Sequence, residues 1–161
     1  MEISWFHGIF AGILGTALMT VAMVAGRLMG LGTDMVRVLG LAFRPEDRPG
    51  EVYVVGLVVH FLFGAFFGII YAILLTGTGA ALFVGAAAAY GALFGALHGV
   101  AVGMGLGALP AVHPRMGSGQ VLTAPGFFGR NIGLGFPVAV ILMHIVYGVA
   151  ASVFYSVGVA G

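Results

Sequence analysis

Apolar residues in this chain gather into long unbroken runs, and polar residues gather between them. Four runs stand out, at about 3–29, 52–75, 80–109 and 136–159. Each is long enough to cross about 30 Å of hydrocarbon, which takes roughly 20 helical residues. The expected fold is therefore all-α: a single integral membrane bundle of four transmembrane helices spanning 1–161. Trp5 and Phe6 fall at the entry of the first run, where aromatic rings favour the interface. Arg27 lies near its exit and can reach the headgroups. Thr16 and Thr20 can bond back to carbonyls of their own helix. Pro137 opens the fourth run, where its missing N–H costs nothing.

The connections divide into one short turn and two loops. Thr-Gly-Thr-Gly at 76–79 joins the second and third runs. The loop at 31–51 holds Asp34, Arg37, Arg44, Glu46, Asp47, Arg48 and Glu51, which read as solvated ion-pair partners. Within it, Thr33 or Asp34 can cap a short interfacial helix through Phe43. The loop at 110–135 carries three prolines, His113, Arg115, Ser118, Gln120 and Arg130, and reads as a re-entrant or capping segment.

Glycine sets the packing. The third run carries Gly91, Gly95, Gly99, Gly103 and Gly107, a strict spacing of four. Such a stripe lets a neighbouring backbone approach closely, a main source of helix association in lipid. The stripe drifts about 40° per step and so favours a crossed neighbour. Gly8, Gly12, Gly64 and Gly68 add further seams, more than one bundle needs. A homo-oligomer or docking to a larger membrane complex would use the surplus.

Composition agrees with the pattern and removes alternatives. Of 161 residues, 61% are hydrophobic and 7% charged, with 29 glycines, so the chain reads as a polytopic membrane protein. There is no cysteine, which excludes thiolate metal sites and disulfides. A net charge of +1 argues against a nucleic-acid surface. No nucleophile elbow, phosphate loop, dinucleotide fingerprint or intramembrane carboxylate pair is present, so no catalytic residue is assigned. The N-terminus lacks a basic region, and its run is too long for a signal peptide. All six cations are arginine, at the exit of the first span or in the two loops, which face the same side. The positive-inside rule makes that side cytoplasmic and both termini external.

The second and fourth spans share a pattern. His60, Gly64, Gly68 and Tyr71 match His144, Gly148, Ser152 and Tyr155 at offsets of zero, four, eight and eleven. Spans one and three share Gly-Leu-Gly at 30–32 and 105–107. The chain can be read as two duplicated hairpins related by an axis along the membrane normal. Gly12–Thr20 (Gly-Ile-Leu-Gly-Thr-Ala-Leu-Met-Thr), His60…Gly64…Gly68…Tyr71, Gly95-Ala-Leu-His98-Gly99 and His144…Tyr147-Gly148 resemble the uncharacterised YagU-like proteins of bacterial inner membranes. The resemblance implies a small four-span protein of the bacterial inner membrane. It carries no settled activity to transfer.

Each span holds one histidine: His7, His60, His98 and His144. An ionisable side chain at membrane depth is costly and marks a candidate site. His60, His98 and His144 fall at one level, roughly 12–16 Å from the cytoplasmic interface, with Met23 of the first span beside them. His7 lies toward the other end, near the level of Tyr71 and Tyr155. Three imidazoles with a methionine suit copper or zinc, and a His–His or His–Met pair suits haem. Metal or haem binding is the leading expectation. A structural subunit with the histidines as interhelical hydrogen bonds is the alternative, and proton or solute conduction is third. His113 is expected to be an exposed loop residue that could fold in as a further ligand. Met104, Met116 and Met143 read as core filler.

Overall fold

The computed structural model describes residues 2–30, 34–116 and 122–160. It is helical throughout, with no strand among the described residues. The elements are α1 (Trp5–Leu28), α2 (Met35–Leu41), α3 (Pro49–Thr78), α4 (Val84–Gly105), α5 (Leu109–Val112) and α6 (Phe136–Ala160). Short 3₁₀ turns lie at Ala80–Leu82, Leu106–Ala108 and Phe127–Gly129. Helices α1, α3 and α6, and α4 with its continuation to Val112, are long and apolar enough to cross a membrane. The protein is thus an all-α, multi-pass membrane protein. Phe6, Phe10, Val21, Leu62, Phe66 and Leu97 point outward, as an apolar solvent allows.

The third span begins later than its sequence suggests, at Val84 rather than Ala80. Gly79 ends α3 at φ +73°, a left-handed conformation open to glycine at little cost. The next three residues make a 3₁₀ turn that buries Ala80 and Ala81. Ser156 donates its hydroxyl to the Ala81 carbonyl at 2.8 Å. Helix α2 forms where the sequence places it but ends at Leu41. Asp34 caps it by accepting from the Arg37 amide at 3.1 Å, and the other candidate cap, Thr33, lies outside the described residues. Ser118 and Gln120 of the second loop lie outside them too. The described part of that loop packs inward: the Phe128 ring sits on Gly103, at a positive φ of 56° unusual for phenylalanine.

Glycine decides which helices touch. A methyl group on Gly12 would meet the Gly68 Cα at 2.8 Å, so α1 and α3 cross in backbone contact. In the same way Gly95 faces the Ile145 Cα at 2.7 Å and Gly148 faces the Gly95 Cα at 2.9 Å, which joins α4 to α6. Helix α1 also packs broadly on α6, while α3 and α4 pack least closely of these neighbours. Gly40 and Gly56 seat α2 on the start of α3. The glycines that suggested spare seams are therefore used inside the chain.

The ion pairs lie on one face, where α1 and α4 end and α3 and α6 begin. Arg27 pairs with Asp34, which also accepts from the Tyr53 hydroxyl at 2.5 Å. Arg37 pairs with Glu46, and Arg44 and Arg48 both reach Glu51. Arg115 donates to the Arg44 carbonyl at 3.2 Å and links the two loops. At the opposite face, Tyr155 gathers the ends of three helices. Its hydroxyl accepts from the Ser4 amide at 3.2 Å and lies 3.1 Å from Thr76 Oγ1.

Candidate functional site

A cavity of about 580 Å³ lies between the four long helices, toward the arginine face. His60, His98, His144 and Met23 all line it. Each position follows from a local cause. His60 continues the Gly56, Gly64 and Gly68 stripe that turns α3 inward. His98 precedes Gly99, whose missing side chain lets α4 come against Ile141 and so sets its ring beside α6. His144 stands one turn before Gly148, the crossing point of α6 with α4.

Two of the three imidazoles meet. The His98 and His144 ring centroids lie 4.6 Å apart, edge to face. Phe67 lies against His98 at 3.9 Å, with Tyr147 and Tyr71 at 6.1 and 6.3 Å. His60 shares the cavity, but its aromatic neighbour is Phe61 at 6.3 Å. Among the described residues, no three histidine or acidic side chains stand close enough together to hold a metal ion. The imidazoles line the walls of one cavity without closing on a common point.

Their hydrogen bonding leaves chemistry unused. His144 Nδ1 donates to the Val140 carbonyl of its own helix at 2.7 Å, which leaves Nε2 bare in the neutral ring. His60 Nε2 and His98 Nδ1 are buried with no partner, as are the Tyr71 and Ser152 hydroxyls. None of the three rings bonds another helix, so the expected interhelical hydrogen bonds from them are absent among the described residues. Tyr147 makes that link instead, donating to the Gly64 carbonyl at 2.7 Å. Thr16 and Thr20 return their hydroxyls to Gly12 and Thr16 of their own helix.

His113 departs from expectation. It is only 5% exposed. Its Nε2 donates to the Val38 carbonyl at 2.9 Å and its Nδ1 accepts from the Arg115 amide at 3.2 Å. Both ring nitrogens are occupied, so it is a clamp between α2 and the second loop rather than a free ligand. Met143 lines the cavity, Met116 is buried beneath the loop, and Met104 faces outward. His7 stays at the opposite face, its Nδ1 2.7 Å from Ser4 Oγ. Tyr71 does not stay with it. Side chains on a helix lean toward its N-terminus, so the Tyr71 ring reaches back to Tyr147 and His98.

The sequence reading missed Phe67, Tyr147 and Met19. A signal existed for two of them. Phe67 stands seven residues after His60 and Tyr147 three after His144, both spacings that share a helix face. The rest of the lining is aliphatic, aromatic or thioether, apart from the Thr16 hydroxyl and the His113 ring, with no charged side chain among the described residues. A smaller hollow of about 370 Å³ adjoins the arginine face and shares Met35, Val38, Leu106 and Leu109 with the cavity. The chain matches no known family model, no curated protein and no solved structure.

Proposed function

We propose that this protein binds a small, largely apolar ligand within the membrane, held against the imidazoles of His60, His98 and His144. One observation carries the reading: a cavity of about 580 Å³ whose largely apolar wall includes all three rings. Ligand pockets commonly measure about 300–1,000 Å³ and pair apolar walls with a few polar groups. A purely structural role as interhelical hydrogen bonds has less support, because among the described residues none of the three rings hydrogen-bonds to another helix.

Haem is the second form of this reading, and His144 favours it. A ligating histidine usually donates its other ring N–H to a carbonyl or carboxylate, as His144 does to Val140. Met19, Met23 and Met143 offer thioethers on the same cavity. A bare copper or zinc ion has less support, since no three ligands converge among the described residues. Purified in mild detergent, the protein is expected to carry one bound molecule per chain. An absorption spectrum and solvent extraction identify it: a Soret band marks haem, and a colourless extract marks an organic ligand. An empty protein whose His60, His98 and His144 variants are as stable as the parent sinks the reading.

We also propose that the arginine face is cytoplasmic and that the membrane is a bacterial inner membrane. The support is the arginine distribution and the motifs that carry the resemblance. The chain has no cysteine, so single cysteines report topology cleanly. Glu2→Cys is expected to react with a membrane-impermeant maleimide on intact spheroplasts, and Glu46→Cys only after permeabilisation. The reverse pattern overturns the orientation.

A further inference from the structure

The cavity has a side as well as a floor. If α3 and α6 are equivalent, and α1 and α4 likewise, the α1–α6 contact corresponds to the α4–α3 contact. The first is broad and the second is sparse. The two halves thus repeat their glycine crossings but not this interface, and both of its helices line the cavity, α3 through Phe63 and Phe67 and α4 through His98 and Val102. Between α3 and α4 the described ring contacts include Phe67 on His98 and Tyr71 against Phe94. Phe63, one turn before Phe67 on α3, lines the cavity and is 54% exposed. Toward the arginine face, α2 lies across the cavity through Val38 and Leu39, and His113 ties it to the second loop.

We infer that the occupant is a neutral lipid that enters sideways from the bilayer between α3 and α4 and presents a hydroxyl or carbonyl head to His98 and His60. This rests on the binding reading above and narrows it. The absence of any charged residue in the described lining leaves a carboxylate or phosphate head without a counter-ion, a heavy cost in a dry site. Imidazoles can both donate to and accept from an uncharged oxygen. The tail is matched by the apolar wall, and the portal at Phe63 faces the phase in which such a lipid is dissolved.

The test uses the full chain in phosphatidylcholine nanodiscs with a sixteen-carbon alcohol carrying a mid-chain diazirine. Irradiation is expected to label Phe63, Phe67 and Met143, and excess unlabelled hexadecanol to compete the label away. His98→Ala is expected to lower this labelling about tenfold, the worth of one lost hydrogen bond. His98→Gln, which keeps a donor and an acceptor, is expected to restore part of it. Leu97→Ala, on the outer face, leaves it unchanged. The inference falls if the label spreads uncompeted over outward residues such as Leu62 and Leu97. It falls also if the matching carboxylate labels the cavity equally well, or if His98→Ala changes nothing. If haem binds at the histidines and the alcohol does not label the cavity, this inference falls and the binding reading stands. If no occupant of any kind is found, both fall.

Discussion

Individual residues set the chemistry of the cavity, and their roles differ more than their types suggest. His144 satisfies one nitrogen within its own helix and keeps the other free. His113 satisfies both and becomes a clamp. Nothing in the sequence separates these fates, because both depend on which carbonyl happens to lie opposite the ring. That His60, His98 and His144 come together along the bundle, lining one cavity, was legible from counting along each helix. Their failure to converge was not, since rotation about each helix axis is set by packing. Tyr147 illustrates the same limit, being the side chain that crosses from α6 to the α3 backbone. Tyr147→Phe removes that bond while keeping the ring beside Tyr71 and His98. The expected loss is about 1 kcal/mol, read as a lower midpoint in a reversible detergent-unfolding titration.

At the scale of elements, the glycine spacing was the most informative signal. It identified α4 as a helix to be approached closely by a crossed neighbour. It did not identify the partner, and the surplus it suggested disappears once Gly12 meets Gly68 and Gly95 meets Ile145. The start of α4 was misplaced because Ala80 and Ala81 are as apolar as the span itself. Only the left-handed Gly79 and the following 3₁₀ turn exclude them from it. Gly95→Ala places a methyl group 2.7 Å from the Ile145 Cα, and overpacking of this kind costs about 1–3 kcal/mol. Gly85→Ala, on the same helix, meets nothing within 4 Å. It is expected to be neutral or slightly stabilising through helix propensity. A paired unfolding measurement in one detergent checks both, and equal losses would contradict the crossing described here.

For the whole molecule, the membrane class, the four spans and the shared side of both loops were all readable from hydropathy and charge. The cavity was not, because it depends on the interfaces between helices, and these are unequal, broad for α1 on α6 and sparse for α3 beside α4. A repeated sequence pattern suggests equal ones. The most direct measurement is the intact mass of the protein released from detergent micelles. The wild-type chain is expected to carry one added mass that the combined His60→Ala, His98→Ala, His144→Ala variant lacks while it stays folded. A wild-type chain that appears only at its own mass, with the folded variant indistinguishable from it, would contradict the account.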